Sequence, residues 1–165
     1  GEPPAPELPP ATPVELAGLG EVDVREVPGP EGAPAVILIH GWTASADINF
    51  FTCYRALGEH VRVIAFDQRG HGSGLRTRRV VRLEDCADDV ARVADALGID
   101  TFIPVGYSMG GTIAQLTWRR HRDRVDGLVL AATAARGGPR PSASAAQKAS
   151  SSPCRIARIT GCSGW

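Results

Sequence analysis

The stretch FIPVGYSMGGTIAQLTW, residues 102–118, decides the fold. It opens as an apolar run of strand length, turns through two glycines around a serine, and resumes with an apolar pattern at helical spacing. Gly106, Tyr107, Ser108, Met109 and Gly110 fit the pattern G-x-S-x-G. A serine on a strand-to-helix turn adopts a strained backbone, and small residues two before and two after let neighbouring segments come close. The helix that follows aims its N-terminus at the serine, where the Met109 N–H can stabilise a developing oxyanion. A Ser108 that merely turns the chain is the bland alternative; the strand before it and the helix after it favour a nucleophile.

Outward from this turn the chain alternates buried strands with helices. VELAGLGEVDVREV, from Val14, alternates apolar and polar residues on both sides of its glycines, as a hairpin with one wet face does. APAVILIHG is a β-branched run suited to a strand buried on both faces. A helix around Phe50 to Leu57, the strand VRVIAFD, a helix from Leu83, the strand TFIPVG, a helix from Gly111 and the strand VDGLVLAAT follow. In the helix from Leu83, residues Leu83, Cys86, Val90, Val93 and Leu97 recur on one stripe and Gly98 follows its end. Strands joined by helices imply right-handed crossovers and a mostly parallel sheet flanked by helices, an α/β architecture.

In such a sheet the carboxyl ends of the strands share one rim, where loops converge. Three motif-bearing loops leave it: HGW after one strand, DQRGHGSG after the next, GYSMGG after the third. Gly41 lets the chain turn tightly, so that the Trp42 N–H would face Ser108 as a second oxyanion donor beside Met109; taken alone, the motif reads as a plain strand-loop turn. His40 is expected to orient its loop through backbone hydrogen bonds. Asp67, Gly70 and His71 are expected to support theirs. Gly70, Gly72 and Gly74 lack the ending of a dinucleotide fingerprint and open no helix.

The order HGW, DQRGHGSG, GYSMGG and GLVLAATAA closely resembles the α/β-hydrolase fold family, in its esterase, lipase and perhydrolase-like branch, from about Val14 to Ala135. The resemblance implies Ser108 as nucleophile, Met109 and Trp42 as oxyanion donors, no cofactor and no metal. It also implies a triad in the order serine, acid, histidine. Here the last strand of the pattern is the sixth, no acidic residue follows Asp126, and no histidine follows His121. His121 stands thirteen residues past Ser108 along a helix, hence roughly 20 Å away. His60 precedes its strand and belongs to the opposite end of the sheet. His40 and His71 lie on the correct rim, each with a loop to support.

Composition separates three segments: a proline-rich lead-in over 1–13, a partial hydrolase domain over 14–135, and a tail over 136–165. All 18 acidic residues lie at or before Asp126, while five of the 18 basic residues follow it. The tail is rich in Ser, Ala, Gly, Pro and Arg and reads as disordered, or as a G+C-rich gene read out of frame, with CRIARIT a short strand or helical turn. The expected function is therefore a serine hydrolase acting on a small-molecule ester or acyl substrate, inactive or truncated in this chain for want of its triad partners. The alternatives are a non-catalytic pseudoenzyme that binds a small ligand or a partner, and a non-functional fragment.

A formal net charge of zero argues against a nucleic-acid or membrane-surface partner, and no run is long enough for a membrane span. Cys53, Cys86, Cys154 and Cys162 form no CxxC pair, which favours structural thiols and a reducing, cytoplasmic setting. Substrate identity and oligomeric state stay open at this level.

Overall fold

The computed structural model describes residues 5–133 and the strand 155–159. A seven-stranded sheet runs in the order β1-β2-β4-β3-β5-β6-β7. Its strands are β1 Ala11–Leu16, β2 Gly20–Val27, β3 Ala35–Ile39, β4 Arg62–Phe66, β5 Ile103–Tyr107, β6 Gly127–Ala131 and β7 Arg155–Ile159. β1 and β2 form an antiparallel hairpin, β2 is antiparallel to β4, and every pair from β4 to β7 is parallel. The helices are α1 Ala46–Phe50, α2 Tyr54–Gly58, α3 Leu83–Ala96 and α4 Met109–Arg120, with a 3-10 turn at Arg122–Arg124.

β3 shows why the sheet has two covered faces. All five of its residues are buried, and they alternate between two cores. Ile37 and Ile39 pack with Cys86, Val90 and Val93 of α3 and Ile113 of α4. Val36 and Leu38 pack with Phe50 of α1 and Tyr54 of α2 on the opposite face. β4 repeats the pattern, sending Ile64 and Phe66 one way and Val63 and Ala65 the other. A period of two with apolar residues on both sides yields a strand only where helices cover both faces.

The predicted stripe of α3 is the buried one: Cys86, Val90 and Val93 are fully buried, with Leu83 and Leu97 packed at the margin. Burial pushes the Cys86 thiol up to about 12, as fits an inert packing group. Gly98, with φ +68°, closes the helix in the left-handed conformation.

Two expectations are corrected and one alternative is decided. β1 begins at Ala11, inside the segment 1–13 read as a proline-rich lead-in, so the ordered domain starts before Val14. Pro13 is tolerated because β1 is an edge strand, where a missing N–H disturbs no inner ladder. The single helix expected around 50–57 is two short ones, broken after Phe50. In the tail, CRIARIT takes its strand alternative as β7, added beyond the sixth strand; residues 136–154 and 160–165 lie outside the described residues.

Two ion pairs fix elements that hydrophobic packing alone would let slide. Arg25 of β2 binds both Asp47 oxygens, at 2.7 and 2.9 Å, which ties the hairpin to α1. Asp88 of α3 accepts from Arg120 at 2.8 and 2.9 Å and contacts His121 Nε2 at 2.9 Å, joining α3 to α4. The Arg120 hydrogen bonds hold the Asp88 carboxyl below its ordinary range against the opposing effect of burial. A carboxyl depressed in the fold contributes stability that is present above its unfolded value and is lost as pH falls through its folded one. Asp88→Asn should therefore lower the melting temperature at neutral pH and flatten the loss of stability on acidification below about pH 4. Thermal unfolding across that range measures both; an unchanged acid limb would contradict the assignment.

Candidate active site

β3 lies between β4 and β5, so the loops leaving β3 and β5 part on either side of a crossover and leave a crevice at the carboxyl rim. Ser108 stands there with φ 53° and ψ −119°, a sterically costly backbone for a residue with a Cβ. It is the residue preceding α4, a position where serine ordinarily caps the helix through its hydroxyl. Here the side chain makes no such bond. At this φ the backbone is outside the extended geometry of an N-cap, so the hydroxyl is not spent on the helix.

The turn is held from three sides. Ser108 N–H donates to the Ala131 carbonyl of β6 at 3.0 Å, and Gly111 N–H donates to the Ser108 carbonyl at 2.9 Å. A Cβ on Gly106 would run into the Gly110 carbonyl and lie 2.5 Å from Gly111 Cα. A Cβ on Gly110 would overlap the Ile39 carbonyl and lie 2.8 Å from the His40 carbonyl. The two glycines of the motif are thus the points where α4 folds back on β5 and where it abuts β3.

The HGW loop reaches the same place. A methyl group on Gly41 would lie 3.3 Å from Ser108 Cβ and 3.6 Å from the Tyr107 ring. Trp42, the next residue, is 64% exposed. Asn49 Oδ1 accepts the Gly41 N–H at 2.8 Å and fixes the turn from α1. Sequence reasoning missed Asn49, since a lone polar residue in a short helix carries no motif; the N-cap at Ser45, whose Oγ accepts from Ile48 N–H at 3.2 Å, is the available signal that this helix is anchored close to the loop.

His40 is fully buried, and both its ring nitrogens are occupied. Nε2 accepts the Gln68 N–H at 2.8 Å, so Nδ1 carries the proton and donates to the Gly41 carbonyl at 2.7 Å. Burial pushes its pKa below the ordinary histidine value, which keeps the ring neutral. It links two of the three motif loops and has no nitrogen with which to take the serine proton. Asp67 similarly accepts from Ala46 N–H at 2.8 Å and Ser73 N–H at 2.9 Å, spanning the second loop and the start of α1. Gly70 and Gly72 have φ of +77° and +42°, and a Cβ on Gly72 would strike the Asp67 carboxylate.

His71 stacks edge-on against His40 and Trp42, with ring centroids 5.2 and 5.6 Å apart, and its Nδ1 lies 3.2 Å from the Arg69 carbonyl. The remaining histidines are elsewhere: His121 is bound to Asp88 at the far end of α4, and His60 precedes β4 at the amino end of the sheet. Among the described residues no group of His, Cys, Asp and Glu side chains forms a metal site, and no helix is long and apolar enough to cross a membrane.

Residues 34–151 match the sequence profile of the alpha/beta hydrolase fold. The chain belongs to the α/β-hydrolase fold family. Within that family it is similar to a bifunctional esterase/perhydrolase of Acinetobacter calcoaceticus, at 37% identity over 103 residues that make up 62% of this chain and 37% of that protein. A non-heme chloroperoxidase of Streptomyces lividans is 34% identical over 103 residues, again 62% of this chain and 37% of the relative. Among solved structures, a bacterial membrane phospholipase A superposes with a TM-score of 0.70 at 32% identity, over 80% of this chain and 42% of that one. The matches to these curated relatives thus span little more than a third of the relatives' own length.

The Gly41 turn gives a test of how the rim is held. Asn49→Ala leaves the Gly41 N–H without its acceptor, which should cost about 1–2 kcal/mol of stability. Urea unfolding measures this; a loss too small to resolve would mean that the turn is held by His40 alone.

Proposed function

We propose that this chain carries the nucleophile and oxyanion hole of a serine esterase. Ser108 Oγ attacks the carbonyl carbon of a small ester. The carbonyl oxygen takes up negative charge and is met by the N–H groups of Met109 and Trp42, at the start of α4 and after the Gly41 turn. The ester C–O bond breaks, the alcohol leaves with a proton, and water then releases the acid from Ser108. The exposed Trp42 and Tyr107 offer apolar surface beside the nucleophile for the acyl group. The observation that carries this reading is the uncapped, strained Ser108 with Gly41 against its Cβ.

The proton acceptor is a separate matter. All four histidines are among the described residues, and only His71 keeps a ring nitrogen uncommitted on the rim of Ser108. His71 sits in a loop-supporting stack, so we assign the triad base and acid to the portion of the relatives that this chain does not span. On its own the chain is then expected to hydrolyse esters at only about 10³–10⁴-fold over water, the residue of catalysis left by an oxyanion hole and binding when the base is gone.

A fluorophosphonate probe followed by peptide mass spectrometry tests the nucleophile. Slow labelling confined to Ser108, absent in Ser108→Ala and retained in His71→Ala, is the expected result. No labelling above an unfolded control would remove the nucleophile assignment, and ligand-induced thermal stabilisation that survives Ser108→Ala would then favour a binding protein. Labelling lost equally in His71→Ala would make His71 the base.

A further inference from the structure

The zero net charge conceals a local excess. From Arg69 to Arg82 there are five arginines, and no acidic residue stands between Asp67 and Glu84. This segment leaves the carboxyl end of β4 and enters α3, with Leu75 buried as its anchor and the Leu75 carbonyl accepting the Gly70 N–H at 2.9 Å. Between it and the first turn of α3 is a cavity of ≈ 600 Å³, lined by Arg69, Thr77, Arg79, Val80, Arg82 and Asp85. Three arginines and one aspartate are among the six lining residues.

The three arginines are not equivalent. Arg69 is a rigid wall: its Nε and Nη2 donate to the two oxygens of Asp89 at 2.7 Å each, and the side chains are 15% and 2% exposed. Its Nη1 has no hydrogen bond among the described residues. Arg79 has no carboxylate partner among the described residues. Arg82 has only Glu84, at 3.9 Å with both groups well exposed, a contact that solvent largely screens. Arg82 is also the N-cap of α3 and makes no side-chain bond to it, so the unpaired N–H groups of that turn add to the positive potential. Thr77 Oγ1 accepts the Arg79 N–H at 3.1 Å, which folds the loop over the cavity.

We propose that this cavity binds a phosphate-type oxyanion. Like charges gathered in one short segment repel one another, and an anion seated among them relieves the repulsion. A carboxylate offers two oxygens in one plane. Guanidinium groups arriving from the β4 loop, the middle of the segment and the start of α3 suit a tetrahedral group with three peripheral oxygens, which accepts several charge-assisted bonds at once. Asp85, alone among the lining residues, opposes the anion and favours a monoester over a more highly charged ligand. None of the lining residues is among those placed around Ser108.

Calorimetric titration of the full chain at low ionic strength tests this, with inorganic phosphate and with sn-glycerol 3-phosphate, alongside sedimentation with phosphatidylcholine vesicles with and without phosphatidate. Saturable binding is expected, weakened at least about tenfold in the Arg79→Ala/Arg82→Ala double variant and unchanged in Arg55→Ala, an exposed arginine of α2. Binding of the soluble phosphates identifies a free phosphate ester as the ligand; binding only to vesicles containing phosphatidate identifies a lipid headgroup. Should the alanine variant fail to fold, Arg79→Lys/Arg82→Lys keeps the charge and should bind at an intermediate level. No saturable binding to any probe, equal weakening in Arg55→Ala, or a lysine variant indistinguishable from the parent would each overturn the proposal.

Discussion

The start of α4 lies so close to the end of β3 that a single added carbon at Gly110 would overlap the Ile39 carbonyl. The site depends on this contact. It brings the amino end of a 12-residue helix, with its unpaired N–H groups, onto the carboxyl rim of the central strand. It forces the chain between β5 and α4 to turn within one residue, and that residue is Ser108. It also sets the HGW loop, which leaves β3 at that point, against the Ser108 Cβ. Strain and proximity therefore share one cause. The described residues with side chains and positive φ are Thr43, Ser108 and Ala132, which follow β3, β5 and β6 on the same rim. Backbone in such conformations costs on the order of 1–3 kcal/mol per residue and persists where surrounding packing over-determines it.

Packing does so here through the two cores. Each face of β3 is filled by a different pair of helices, so the strand cannot shift along its axis without breaking both layers at once. Polar ties hold the seams: Arg25 to Asp47, Asp88 to Arg120, Asp89 to Arg69, and His40 between the first two loops of the rim. Adjacent residues Asp88 and Asp89 illustrate the economy of α3. One step along the helix turns the side chain by about 100°, so Asp88 reaches α4 while Asp89 reaches the loop after β4.

Much of this was legible in the sequence because its cause is local. Ser108 between Gly106 and Gly110 marks a tight strand-to-helix turn whatever surrounds it, and the β-branched run at 35–39 announces a strand with no wet face. The stripe of α3 is visible because helical spacing repeats it. What was hidden depends on partners distant along the chain. Asn49 matters only because Gly41 arrives beside it. The two commitments of the His40 ring, and hence its unsuitability as a base, require Gln68 to be placed. The early start of β1 was masked by prolines, which argue against an inner strand but say little about an edge. The cavity under the arginine loop could not be read either, since the net charge of the whole chain averages it away.

The dependence of the rim on the contact between α4 and β3 can be measured by comparing Gly110→Ala with Gly98→Ala in urea unfolding. Gly98 has φ +68° with open space where its Cβ would go, so alanine there introduces backbone strain alone, about 1 kcal/mol. Gly110 has a backbone that alanine tolerates but no room for the carbon. The account predicts a loss of at least about 3 kcal/mol for Gly110→Ala, together with loss of probe reactivity at Ser108. Equal stability losses in the two variants, with Ser108 still labelled in both, would contradict it.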